Sequence, residues 1–316
     1  MSDALAAQSW RSISRGSQSF ALAARLFDRR IREDCVMLYA WCRHCDDVID
    51  GQRAGHEQDP RYREGQHARL EALRDETRRA LSTEAPVSPP FEALRRVVRR
   101  HAIPPDHPQA LLDGFAMDAE GRDYPSLPAL LDYCYHVAGV VGVMMARIMG
   151  AREETTLDRA SDLGLAFQLT NISRDVVEDA RAGRVYLPAD LLAAEGIARV
   201  DPDDPAQRPA LYRVALRLLD EADLYYDSAL HGIADLPPRA ALAIAAARRI
   251  YRAIGERLRE EGPRAWDRRI STTTSQKLAL VARAGLDVGR AKSRRPASPS
   301  RAGFYDRPRH GEHATR

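Results

Sequence analysis

Asp46 and Asp50 stand four residues apart within Tyr39-Ala-Trp-Cys-Arg-His-Cys-Asp-Asp-Val-Ile-Asp50, and far downstream Asp175 and Asp179 repeat the spacing within Gln168-Leu-Thr-Asn-Ile-Ser-Arg-Asp-Val-Val-Glu-Asp179. On a helix, residues four apart share a face one turn apart, so each stretch stacks two like charges. A bare helix gains nothing from that repulsion. Both stretches are embedded in apolar sequence, Val36, Met37 and Leu38 before the first and Leu165, Phe167 and Leu169 around the second. Acids in such surroundings face a cavity, and a buried carboxylate needs a cationic partner. Hard oxygen donors point to Mg²⁺ or Mn²⁺ rather than zinc, and Mg²⁺ is usually held by one or two carboxylates plus substrate phosphates. Asn171 and Gln168 extend the second stripe toward its N-terminus. Either stretch alone reads as a solvated helix face; the matched pair predicts two facing helices around a metal-bound diphosphate.

The rest of the chain carries helical periodicity, with segments expected at 3–15, 32–50, 66–82, 91–102, 108–120, 126–149, 156–180, 190–195, 210–231, 238–260 and 273–290. Polar or proline-bearing breaks fall at 51–64, 83–90 and 201–209. No strand pattern, repeat or glycine-rich nucleotide loop interrupts the series. The expected fold is therefore all-α, a single-domain bundle over residues 1–290 around a central cavity. Residues 291–316, rich in arginine, proline, serine and glycine, read as a basic, disordered tail. Ala138, Gly139, Gly142 and Ala146 are small residues at three- and four-residue spacing that admit close approach of a neighbouring backbone or an isoprenoid chain. Asp118 and Asp123 read as surface charges, with a cavity-facing aspartate as the alternative. Arg184, just past the second acidic stripe, either closes over a phosphate or satisfies a helix end.

Five segments in register resemble a known family: Ser17-Gln-Ser-Phe20, the 39–50 stretch, Tyr133-Cys-Tyr-His-Val-Ala-Gly-Val-Val-Gly142, the 168–179 stretch with Gly183-Arg-Val-Tyr-Leu-Pro188, and Ala247-Arg-Arg-Ile-Tyr251 with Ala265-Trp-Asp-Arg-Arg269. They are similar to the trans-isoprenoid head-to-head condensing enzymes, the squalene and phytoene synthases, and most similar to the bacterial phytoene synthases. The resemblance implies an isoprenoid-synthase-type fold and the joining of two geranylgeranyl diphosphates, through a cyclopropylcarbinyl diphosphate, into phytoene for carotenoid biosynthesis. It implies metal ligation by Asp46, Asp50, Asn171, Asp175 and Asp179, with roughly two or three Mg²⁺ or Mn²⁺ ions per site. It places Ser17, Ser19, Phe20, Tyr39, Arg43, Gln168, Arg184, Tyr251 and Arg268 toward substrate, with Arg269 able to replace Arg268, and counts Tyr39 and Arg43 with the four aspartates as catalytic. The alternatives are a squalene or dehydrosqualene synthase acting on farnesyl diphosphate, a chain-elongating prenyl transferase, and a helical scaffold without chemistry.

Composition narrows the partners. A formal charge of +3 over 316 residues gives no footprint for nucleic acid. Cys35, Cys42, Cys45 and Cys134 fit a reduced cytoplasmic protein, and Cys42-Arg-His-Cys45 has no second pair with which to hold zinc. The first dozen residues hold no long apolar run, so a secretory signal is not expected. The longest apolar run, 137–146, is about half of the roughly 20 residues a membrane span needs. A hydrophobic substrate and product nevertheless imply peripheral contact with the inner face of the membrane, and neighbouring carotenoid-pathway enzymes as partners.

Overall fold

In the computed structural model, residues 5–10, 22–51, 64–268, 270, 273–294 and 300–309 are described. Among them there is no strand. Among the described residues from 29 onward, ten helices carry the fold: α1 (Arg29–Asp50), α2 (Gln66–Ser82), α3 (Pro89–His101), α4 (Asp106–Ala119), α5 (Leu127–Ile148), α6 (Glu154–Arg181), α7 (Ala189–Ala194), α8 (Arg208–Ile233), α9 (Pro238–Glu261) and α10 (Thr274–Arg294). Several begin where the chain supplies a start signal. Asp28 caps α1 by accepting from the Ile31 N–H at 3.0 Å, and prolines occupy the first turn of α3, α5, α8 and α9, where a missing N–H costs nothing.

The helix at the centre is α6. Leu157, Leu165, Ala166, Leu169, Ile172 and Val177 are buried on several of its faces, so it cannot lie at the surface of the bundle. It packs on α5, α8 and α9. On the other side α1 packs on α3, where Phe91, Leu94 and Val97 are buried and Arg96 and Arg99 point outward. The fully buried Asp34 of α1 joins these two helices by accepting from Arg100 at 2.6 Å and pairing with His101 at 2.8 Å. A buried acid held by two partners on one neighbouring helix fixes the register between them.

The contact between α5 and α6 is backbone against backbone. A Cβ on Gly142 would stand 2.3 Å from the Ala160 carbonyl oxygen, and one on Gly164 2.4 Å from that of Ala138. The small residues of α5 thus serve the close approach of α6. A feature absent from the sequence reading lies beside them: Tyr135–Gly139 forms one π-helical turn, closed by the Val140 N–H donating to the Tyr135 carbonyl. The extra residue of such a turn changes which side chains face inward. By length and composition Leu127–Ile148 could cross a membrane, contrary to expectation, yet 61% of its most apolar window is buried inside the protein. Its apolarity serves the core.

The expected tail needs correction. Helix α10 extends to Arg294, and residues 300–309 lie back against α6. Arg301, Arg307 and Arg309 pair there with Asp162, Asp158 and Glu154, while Tyr305 donates to Asp132 at 2.9 Å. Arginine-rich composition signalled solvation only because the matching acids sit on a different element.

Candidate active site

A cavity of about 400 Å³ runs between α1, α4, α5, α6, α8 and α9. Along α6 its wall is formed by Asn171, Gln168, Gly164, Ala160 and Thr156, the succession of one helix face. Fifteen residues at 1.5 Å each give that wall a length of about 22 Å. The sides are apolar, with Phe27, Phe115, Val141 and Met145 among them.

Polar groups gather at the Asn171 end. From α1, Tyr39, Arg43 and Asp46 face the cavity one turn apart. Arg43 donates to its own helix's acids, with pairs at 2.9 Å to Asp46 and 2.7 Å to Asp47. Burial pushes the Asp46 carboxyl up to about 7; Asp50, Asp47 and Asp118 add to the rise and Arg43 opposes it. The Asp46 side chain keeps 38% of its surface exposed, enough for a ligand to reach it.

Asp50, one turn further, meets the second acidic helix through Arg184, whose guanidinium nitrogens lie 2.5 and 3.3 Å from its two oxygens. The reason is local. Helix α6 ends in a left-handed Gly183, whose N–H donates to Ala180, while the Arg184 N–H donates to Asp179 at 2.8 Å. This reversal turns Arg184 back toward the cavity end of the helix. Burial works against the Arg184 charge, but the hydrogen bond to Asp50 and the charges of Asp50 and Asp118 more than offset it and keep it protonated. Burial and the Asp175 charge push Asp179 up to about 8, with Arg184 opposing. Asp175 itself is clasped by Arg174 of its own helix.

One acid that the sequence reading placed at the surface, with the cavity as the alternative, belongs here. Asp118 of α4 lines the cavity and accepts from Tyr133 at 3.0 Å and Tyr186 at 2.8 Å. Burial raises it to about 6, against the pull of Arg184 and the two tyrosine hydrogen bonds. No spacing could have revealed it, because its partners arrive from α5 and from the segment after α6. Tyr251 of α9 lines the cavity, stacked on Phe167 at 4.2 Å between ring centres. Arg268 is corrected: its side chain is 71% exposed, pairs with Glu261 at 2.6 Å and is not on the cavity wall. Neighbouring Trp266 has a structural task, its indole N–H donating to the Ser173 carbonyl at 3.1 Å. Ser17, Ser19, Phe20 and Arg269 lie outside the described residues.

Asp46 and Asp118 thus make an acidic end to an apolar chamber, with Arg43 as a counter-charge; Asp50, Asp175, Asp179 and Arg184 lie off its wall, with Asp50 and Asp179 near enough to Asp118 for their charges to act on one another. Among the described residues no three acidic, histidine or cysteine side chains are already drawn together as a ligand cage. The donor set still fits a hard divalent cation, because all its atoms are oxygens; burial first, and neighbouring carboxylates second, raise Asp46 and Asp179, and a bound cation would offset both.

The family model for squalene/phytoene synthase matches residues 13–276. The chain belongs to the squalene/phytoene synthase family. Within that family it is 58% identical to a 15-cis-phytoene synthase of Paracoccus sp. over 98% of this chain and all of that protein. It is 50% identical to the 15-cis-phytoene synthase of Enterobacter agglomerans, over 93% of this chain and 99% of the other. Among solved structures a dehydrosqualene synthase in complex with ligand superposes with a TM-score of 0.82 at 26% identity, covering 92% of this chain and 98% of that one. A squalene synthase from Alicyclobacillus acidocaldarius shares the fold at a TM-score of 0.71 and 24% identity. The squalene/phytoene synthase fold accounts for the helical architecture, and membership implies a prenyl diphosphate substrate and general use of divalent metal ions.

Proposed function

We propose that the chain is a phytoene synthase, which joins two geranylgeranyl diphosphates head to head, through prephytoene diphosphate, to phytoene and two diphosphates. The observation that carries the reading is the meeting of Asp46, Gln168 and Asn171 at one end of an apolar chamber about as long as a C20 tail. Ionisation of an allylic diphosphate needs a neutralised leaving group and a dry space for the cation left behind. Arg43 and Arg184 supply fixed positive charge at the acidic end. Phe27, Phe115, Val141 and Met145 keep water from the rest. Asp46, Asp50, Asn171, Asp175 and Asp179 would hold Mg²⁺ or Mn²⁺, and a bound divalent cation neutralises charge on the departing diphosphate. Tyr39, Gln168 and Tyr251 line the wall beside them and orient the substrate.

Incubation of the purified chain with labelled geranylgeranyl diphosphate and Mg²⁺, followed by chromatography, tests the reading. A C40 hydrocarbon is expected. A longer diphosphate would indicate chain elongation, a C30 hydrocarbon formed only from farnesyl diphosphate would indicate a dehydrosqualene synthase, and recovery of unreacted substrate would leave a scaffold. Because substrate and product are hydrophobic, we place the protein in the cytoplasm at the inner face of the membrane; recovery only in the soluble fraction of gently lysed cells would oppose that placement.

A further inference from the structure

At the end of the cavity remote from the aspartates, the wall ends in a charge. Arg159 lines the cavity beside Thr156, Gly232 and Ile233, yet only 4% of its surface is exposed. A buried guanidinium is an unexpected neighbour for a hydrocarbon tail unless it is held elsewhere. It donates to Ser228 at 2.6 Å, and Ser228 in turn donates to the fully buried Asp162. Arg159 is itself 3.9 Å from Asp162. Gly232 leaves room for it, since a Cβ there would stand 2.5 Å from Arg159 Cβ. The chain's C-terminal strap completes the arrangement: Arg301 donates two hydrogen bonds to Asp162, at 2.6 and 3.1 Å, and a third to the Tyr305 carbonyl at 2.9 Å.

The strap is anchored independently of that pair. Arg307 is buried against Asp158 at 2.8 Å, and the Tyr305 N–H donates to the Tyr225 hydroxyl at 2.9 Å. Phe304 packs edge-on against Tyr225, and Tyr305 lies 5.7 Å from Tyr135 at the start of the π-turn whose Val137 and Ala138 face the cavity. The strap thus touches both the charged end of the chamber and the irregular turn in its side.

Resting on the prenyl diphosphate reading above, we propose that residues 300–309, acting through Arg301, Asp162 and Ser228, hold Arg159 as the floor of the prenyl chamber and so set the longest tail it accepts. The physical reason is the cost of moving the floor. A methyl-lined floor can yield by changing rotamers, whereas displacing Arg159 separates it from a buried acid and hydroxyl. Rejection of an overlong tail is therefore steep. Discrimination against a short tail has a different origin, the apolar surface left unburied, and does not depend on the floor. Arg301 is a positioning residue in this scheme.

The test is the affinity of non-ionising thiolo analogues of farnesyl, geranylgeranyl and geranylfarnesyl diphosphate, measured by calorimetry on the full chain with Mg²⁺. The wild type is expected to bind the C20 analogue and reject the C25 one. In Arg301→Gln the C25-to-C20 affinity ratio rises by about tenfold or more while the C15-to-C20 ratio stays within about twofold. Ser228→Ala, which removes the hydroxyl joining Arg159 to Asp162, has the same effect and serves if the first variant folds poorly. Unchanged C25-to-C20 ratios in both Arg301→Gln and Ser228→Ala would overturn the proposal. If none of the analogues binds the wild type, the prenyl diphosphate reading itself falls, and the proposal with it.

Discussion

Arg184 joins its guanidinium to both oxygens of Asp50, at 2.5 and 3.3 Å, and thereby ties the end of one acidic helix to the end of the other. The two side chains are 18% and 15% exposed, so the pair works in a poorly solvated setting. Arg184→Ala leaves the Asp50 carboxylate among Asp46, Asp118 and Asp179 with less positive charge nearby. Denaturant unfolding without metal should show a loss of about 2–3 kcal/mol, below the full cost of breaking a buried pair because both partners keep some exposure. The double variant with Asp50→Asn should recover part of it. Simple addition of the two single effects would mean that the pair contributes no coupling.

Asp46→Asn separates function from stability. It removes an oxygen donor from the acidic end and should lower turnover by about a thousandfold, with the helical circular dichroism unchanged. Without metal the same change relieves repulsion from Asp47, Asp50 and Asp118, so the melting temperature should rise. Turnover at wild-type rate would contradict the role assigned to Asp46.

The acidic end also makes metal-free stability depend on pH. Asp118, Asp46 and Asp179 are raised to about 6, 7 and 8, against an unfolded carboxyl near about 4. Between those values the folded chain binds more protons than the unfolded one, so their contribution is full below pH of about 4 and is lost as pH rises to about 8. In a chelator the melting temperature should fall over that range by more in the wild type than in the Asp46→Asn, Asp179→Asn double variant. Added Mg²⁺ should restore the loss at the alkaline end, since a ligand of the folded state stabilises it. An equal fall in both proteins would place the titrating groups elsewhere.

Gly142→Ala tests the contact between α5 and α6. The new methyl would meet the Ala160 carbonyl, which is backbone and cannot rotate away. Separation of the helices should cost about 1–3 kcal/mol in thermal or denaturant unfolding. A melting temperature equal to the wild type's would show that the two backbones have slack.

Periodicity carried most of the architecture. The 66–82 segment recurs as Gln66–Ser82 and the 238–260 segment as Pro238–Glu261, because apolar spacing and proline starts are local signals. The place of Asp46 on the cavity wall was legible for the same reason, since the helical period sets it in line with Tyr39 and Arg43. Asp118 was not, because its surroundings are made by Tyr133 and Tyr186 from elsewhere in the chain. The strap escaped notice too: arginine next to proline and serine reads as solvated until Asp158 and Asp162 are placed opposite. Arg268 erred in the other direction, as a motif position whose side chain points away from the cavity it was expected to serve.

A single uninterrupted helix, Glu154–Arg181, carries Asn171 at one end of the chamber and Thr156 and Arg159 at the other. One residue inserted between them would turn the two ends by about 100° relative to each other and part them by about 1.5 Å, so both could not face inward together. Descendants of this chain that handle tails of another size must therefore have changed by exchanging side chains on the surrounding rods, and gaps or insertions within this one should be missing from their genes.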